Sequence, residues 1–269
     1  NAQLFYGLYD RVQSFWGNSE LEATGVPTEG EKAVLQALVD QGLLSADILS
    51  DQAIMAPVSG ARQLDRKNLR RASYLLDEAG WRVNSDGMRE KDGQVFTLEV
   101  LDSSPAFDRI TNPMIENMKV LGIDARLNRV DTAQESERTR AYDFDVTTHS
   151  MRMGFEPSSG LEQYFGTKAM DQSSRNLMGL SDPAVDALIE KVVRAQSKAE
   201  LNTNIRALDR VLRAKRFWIP QWFKAVHTVA YYDQYGHPDP LPPFARGELD
   251  FWWFDAEKAA KLEAAGVLN

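Results

Sequence analysis

Residues 96–130 constrain the fold more than any other stretch. Phe96-Thr97-Leu98-Glu99-Val100-Leu101 reads as a half-buried strand. A helix follows over Phe107 to Leu121, with Ile110, Met114, Met118 and Leu121 at helical spacing. Pro113 is tolerated only near a helix's first turn, so the helix is expected to start close to Thr111. Gly122 ends it, and Ile123 to Val130 alternates as a second strand. Strand, helix and strand in this order predict an α/β layer with a right-handed crossover.

The flanking segments extend that layer. Leu4, Phe5, Leu8, Tyr9 and Val12 lie close to one helix face within Asn1 to Ser14. Thr28 to Gln41 is a helix with Thr28 as cap, Glu31 at the far corner of a capping box, and Gly42 as stop. Leu43 to Arg62 is irregular, with a surface turn at Pro57-Val58-Ser59-Gly60. Asp65 caps a helix reaching Ala79, and Gly80 closes it. A hairpin is expected across Arg82 to Phe96, and a short polar helix over Thr132 to Arg140. Tyr142 to Thr148 alternates as a strand and leads into a glycine, methionine and proline loop, His149 to Gly160. Such loops at strand ends are where α/β sheets usually meet ligands. Leu161 to Phe165 is a short helix, and Asp182-Pro183 opens another with cap plus first-position proline. Lys198 to Arg216 is a helix whose Arg206, Arg210, Arg213, Lys215 and Arg216 read as a solvated basic face.

The texture changes at Phe217-Trp218-Ile219-Pro220-Gln221-Trp222-Phe223. Pro220 cannot continue a helix. A strand over His227 to Tyr232, a turn-rich loop to Pro243, the apolar run Asp250 to Asp255 and an end helix over Glu257 to Ala265 follow. Either the chain crosses here into another lobe, or Pro220 merely ends a helix inside one domain.

Several chemistries lack their residues. With no cysteine there is no disulfide, thiolate metal site or cysteine nucleophile. A net charge of −8 argues against a nucleic-acid partner. No run is long and apolar enough for a transmembrane helix. His149, His227 and His237 are far apart and lack zinc-ligand spacing, so no metal is expected. Neither a glycine-rich nucleotide turn nor a serine-nucleophile motif occurs, and no cofactor is expected. Asp143 and Asp145 flank Phe144 and would share one side of a strand, as a hydrolytic carboxylate pair or as ordinary strand-edge charges. Trp16, Tyr142, Phe155, Tyr164, Trp218, Trp222, Tyr231, Trp252 and Trp253 offer rings to stack on peptides or sugars, or to pack a core.

A series of blocks resembles the family 5 extracellular solute-binding proteins, the oligopeptide and dipeptide class of ABC importers, and its YejA-type subgroup most. They are Tyr9-Asp10-Arg11 with Ser14 to Leu21, Asn68 to Ala72, Leu75-Leu76-Asp77-Glu78-Ala79-Gly80-Trp81 and Leu121-Gly122-Ile123-Asp124. Tyr142 to Asp145, Glu156-Pro157-Ser158-Ser159, Leu208 to Leu212, Ile219-Pro220 and Trp252-Trp253 complete them. The resemblance implies a type II periplasmic-binding-protein-like α/β fold. Residues 1–217 would form lobe II, and 218–269 the return into lobe I, whose N-terminal part is missing. It implies a periplasmic protein without catalysis that closes on a peptide or modified peptide and serves an inner-membrane ABC permease. An aspartate before the Glu-Pro pair receives the peptide amine in oligopeptide binders; here that position is Met153, a departure. The amine would then reach Asp145 or Glu156, or the ligand would present no free amine there, and Arg152 could as easily take a ligand carboxylate. Met151 and Met153 would give adaptable apolar contact. His149 and Phe155 lie in the same loop, and Trp218 and Trp222 sit near the crossing, on the hinge or in the cleft. Two rival readings are a peptide or glycan hydrolase using Asp143, Asp145 or Glu156, and a scaffold surface at Phe251 to Phe254.

Overall fold

The computed structural model describes residues 2–60, 64–171, 175–226, 228–242 and 248–267. The chain divides into two compact units, residues 1–223 and 224–269. The first unit continues past Trp218 because Trp222-Phe223 pairs back onto its beginning.

In chain order the first unit holds α1 (Ala2–Phe5), β1 (Asp10–Arg11), α2 (Glu29–Asp40), α3 (Arg66–Glu78), β2 (Arg82–Val83), β3 (Arg89–Lys91), β4 (Gln94–Val95) and β5 (Thr97–Asp102). It continues with α4 (Asp108–Val120), β6 (Asp124–Arg129), α5 (Thr132–Arg140), β7 (Val146–Thr147), α6 (Leu161–Phe165), α7 (Pro183–Arg194), α8 (Lys198–Ala214) and β8 (Trp222–Phe223). The second unit holds β9 (Tyr235–Gly236), α9 (Glu248–Phe251), β10 (Trp253–Phe254) and α10 (Ala256–Ala264). There, β9 pairs with β10 antiparallel.

The α/β layer is present. β5 pairs in parallel with β6 on one side and β7 on the other, giving the order β6-β5-β7. α4 carries the chain from β5 to β6 and packs Ile115 against Val100, Ile123 and Ala125. α4 begins at Asp108, ahead of the expected Thr111, because a 3-10 turn over Pro105–Phe107 feeds directly into it. Pro113 therefore lies inside the helix and forgoes its bond to the Arg109 carbonyl. Gly122 ends α4 at φ +84, and a Cβ there would sit 2.6 Å from the Gly87 carbonyl oxygen.

A second, larger core joins the remaining helices. Leu35 and Leu38 of α2, Phe165 of α6, Leu188 and Ile189 of α7, and Ile205, Leu208 and Leu212 of α8 are buried together. The caps follow the sequence: Thr28 accepts from the Glu31 N–H, Asp65 from Lys67 and Asn68, and Asp182 from Ala184 and Val185.

Four further expectations about the elements fail. The first helix stops at Phe5, since Tyr6 and Gly7 take φ +52 and +78; β1 then pairs with β8, a partner remote in sequence. The strand expected over 142–148 shrinks to Val146–Thr147. Tyr142 takes φ +54, and its hydroxyl donates toward the Met170 and Asn176 carbonyls, which draws that end away from the sheet. Residues 228–232 form no strand, and His227 lies outside the described residues. The basic face of α8 is not solvated throughout: Arg210 and Arg213 are buried.

Arg210 pairs with Glu31 at 2.9 Å and donates to the Gly25 carbonyl. Arg213 donates to the Ala23 and Ile54 carbonyls and pairs with Asp209 at 3.1 Å. Asp209 also accepts from the Ser14 hydroxyl and the Ala23 N–H. These bonds fasten the segments around residues 14–25 and 51–55 to α8, and satisfy charges that burial would otherwise penalise.

A polar face at the carboxyl ends of the parallel strands

In a parallel layer the chain ends following each strand gather at one rim, outside the carboxyl ends. Here that rim receives Asp102 at the end of β5 with Ser103 after it, Arg129 at the end of β6, and Thr148 and His149 after β7. Arg129 lies 3.1 Å from Asp102 and also contacts Asp108 at the start of α4. Asp102 accepts the Ser104 N–H at 2.7 Å, and Ser103 donates to Glu135 of α5 at 2.5 Å. A shallow cleft of about 220 Å³ opens between α5 and β7, lined by Glu135, Ser136, Arg140, Thr147, Thr148 and His149. Partial desolvation of the His149 ring in this setting holds its pKa below the ordinary histidine value, although the residue remains accessible.

The expected site residues separate into distinct places. His149 lines the cleft directly beyond β7. Met151 and Met153 are half-buried against the helical core, while Arg152 between them is exposed and forms no ion pair among the described residues. That alternation makes the two methionines anchors of the loop and turns Arg152 outward. Phe155 is 43% exposed. Glu156 is exposed, and its charge favours the protonated form of Lys198, whose main partner is Glu20 at 2.7 Å.

Asp145 is not at the rim. It precedes β7 and accepts the Glu99 N–H at 2.8 Å, on the amino side of that strand. Asp143 pairs with Arg138 at 2.8 Å, and Arg138 reaches Glu99 at 2.8 Å as well. The two aspartates thus serve separate structural partners and precede the short strand instead of sharing its face. Among the described residues no cluster of histidine and carboxylate side chains could hold a metal ion.

The two tryptophans also part. Trp218 stacks on Phe15 at 4.0 Å, beside the helical core. Trp222 in β8 meets Phe5 at 5.0 Å and Phe107 at 6.4 Å, so it packs next to the turn that leaves β5. Arg109 covers the other ring of this group, Phe5, at 5.6 Å. Trp16, one of the rings considered for stacking, is buried in the core.

Sequence reasoning missed Asp102, Ser103, Arg129, Glu135 and Arg140. A signal for Asp102 and Ser103 was available, since polar residues directly after a predicted strand belong to the rim of a parallel layer; Arg129 fell inside the strand expected over Ile123 to Val130. Arg140 and Glu135 depend on how α5 lies against β7, which local pattern does not encode.

Known proteins share the fold. The model of the bacterial extracellular solute-binding proteins, family 5 Middle, matches residues 2–172. The probable peptide-binding protein YejA of Agrobacterium fabrum is 37% identical over 255 residues, covering 94% of this chain and 41% of that protein. The oligopeptide-binding protein AppA of Bacillus subtilis, solved with a nonapeptide, superposes with a TM-score of 0.54 at 15% identity. That match covers 91% of this chain and 51% of AppA. A periplasmic oligopeptide-binding protein of Thermotoga maritima, solved with mannohexaose, gives 0.50 at 17% identity over 79% of this chain and 44% of its own. The chain spans about two fifths of the length of the curated relatives it matches. Its fold is that of the type II periplasmic binding proteins, and the chain belongs to the bacterial extracellular solute-binding proteins, family 5.

Proposed function

We propose that this chain supplies one lobe of a periplasmic solute-binding protein, which captures peptides or modified peptides in an interlobe cleft and delivers them to an inner-membrane ABC permease. The observation that carries the reading is the family match over residues 2–172, combined with the polar rim at the carboxyl ends of β5, β6 and β7. YejA, 37% identical, is named for probable peptide binding, which supports a peptide ligand. Closure would be a population shift, driven by the ligand's greater affinity for the closed form.

On this reading the segment after β7 meets the ligand. Arg152 offers a guanidinium for a ligand carboxylate, and His149 offers a neutral ring for hydrogen bonding at neutral pH. Met151 and Met153 contribute by holding the segment on the helical core. Residues 1–217 correspond to lobe II and 218–269 to the return into lobe I. In the second unit Trp253 and Phe254 are 54% and 61% exposed, which supports a further part of the protein packing over them.

Calorimetric titration of the complete protein with oligopeptides tests the proposal. Saturable one-to-one binding without product is expected, weakened by Arg152→Ala. Cleavage of the peptide, or binding of oligosaccharides but no peptide, would overturn it. Unchanged affinity in Arg152→Ala would remove that residue's role alone.

A further inference from the structure

α3 carries its charge against its own dipole. The other long helices, α2, α4, α5, α7, α8 and α10, each place an acidic residue in their first turn. α3 has none there and instead opens Arg66-Lys67-Asn68-Leu69-Arg70-Arg71. Cations near a helix N-terminus are each unfavourable by roughly 0.3–1 kcal/mol. The spacings 66/70 and 67/71 add like-charge pairs that cost a few tenths more each. Local stability therefore disfavours this arrangement.

The Asp65 cap offsets only part of it. Arg66, Lys67, Arg70 and Arg71 are all exposed, and none forms a salt bridge among the described residues. The carboxylate of Asp65 is occupied by the N–H groups of Lys67 and Asn68. Asp77 and Glu78 share this side of the helix; Asp77 is taken by Arg89 and Arg82, and Glu78 accepts from the Tyr74 hydroxyl. At about 100° per residue the four cations spread over roughly 140° of the helix, with Tyr74 inside that arc. Tyr74 is 53% exposed and lies under the Arg71 guanidinium, 5.2 Å from its ring centre. Leu75, 41% exposed, borders the stripe on one side, and Leu64, 44% exposed, precedes the cap.

We infer that this face of α3 docks an acidic segment of a partner protein, one carrying several carboxylates with an apolar residue between them. Four unpaired cations complement carboxylates, while exposed tyrosine, arginine and leucine form the composition of protein–protein hot spots. An anionic lipid surface fits less well. It is extended, so it would also meet the negative charge surrounding the stripe on a chain of net charge −8, whereas a short acidic segment can be confined to the stripe. The surface is separate from the ligand rim and does not depend on the solute proposed above.

The test measures fluorescence anisotropy of a labelled peptide built from Glu-Glu-Leu repeats, titrated with the intact chain. Vesicles of phosphatidylglycerol and phosphatidylcholine serve as the lipid arm. Peptide binding is expected that weakens as salt rises and falls at least ~tenfold in Arg66→Gln/Arg70→Gln/Arg71→Gln. The lysine version of the same triple variant should retain most of the binding, and vesicles should not bind. The glutamine variant should melt no lower than the parent, because it removes dipole and like-charge strain. Absence of peptide binding, equal binding by the glutamine variant, or vesicle binding that the variant abolishes would each overturn the inference.

Discussion

Arg210 and Arg213 show how residue type and residue role diverge. Both belong to a run that reads as a solvated basic stripe, yet both are buried and bonded to carbonyls far away in sequence, with Arg210 also paired to remote Glu31 and Arg213 to Asp209 one turn back. Removing Glu31 would leave Arg210 buried without its carboxylate. Glu31→Ala is therefore expected to cost about 3–5 kcal/mol in denaturant unfolding. A loss below 1 kcal/mol would mean that the carbonyl contacts alone satisfy Arg210. Glu99 gives a prediction of pH dependence. Hydrogen bonds from Asn128 and Arg138 hold its carboxyl below the ordinary glutamate value. A folded value below the unfolded one stabilises above about pH 4.3 and is lost as pH falls through the folded value. Glu99→Gln should therefore show a flatter fall of melting temperature on acidification than the parent. His149 has the same sign, since its pKa is also lowered. The contribution of its neutral ring is present above about pH 6.5 and is lost below it. His149→Asn should flatten that limb between neutral and mildly acidic pH.

At the scale of elements, local signals acted where one segment decides its own shape. Thr28, Asp65 and Asp182 cap the helices they precede, and Gly80 and Gly122 end helices at φ +89 and +84. Thr28→Ala should lower stability by about 1 kcal/mol in equilibrium unfolding. Gly122→Ala should cost more, about 2 kcal/mol, because it adds strain at positive φ to a Cβ that meets the Gly87 carbonyl. If Gly122→Ala melts like the parent, the turn relaxes freely and the close approach is not a constraint. The sheet was legible for the opposite reason: β5, α4 and β6 are consecutive, so their pairing needs no distant partner. β1 with β8 was not legible, as nothing in Asp10-Arg11 identifies Trp222-Phe223 as its mate. The rim divides likewise. The position of His149 beyond β7 follows from the strand pattern before it, whereas Asp145 lies before β7 because Tyr142 at positive φ shortens that strand from its amino end. Alternation along 151–153 was visible in sequence, but which side faces the helical core required α7 and α8 to be in place.

For the whole molecule, the first unit holds both hydrophobic clusters, and the segment from His149 to Gly160 leads from the sheet cluster to the helical one. This route gives the proposed ligand contacts a rigid support: Val146 packs on the sheet cluster before the loop, and Met151 and Met153 pack on the helical cluster within it. A binding loop tied at both ends loses little freedom when a ligand arrives, which favours affinity. The measurement that reaches this claim most directly is hydrogen–deuterium exchange of the complete protein, with and without a bound oligopeptide. The account predicts added protection across residues 147–156, with α7 and α8 unchanged. Protection confined to other segments, or a protein that takes up no peptide, would contradict it.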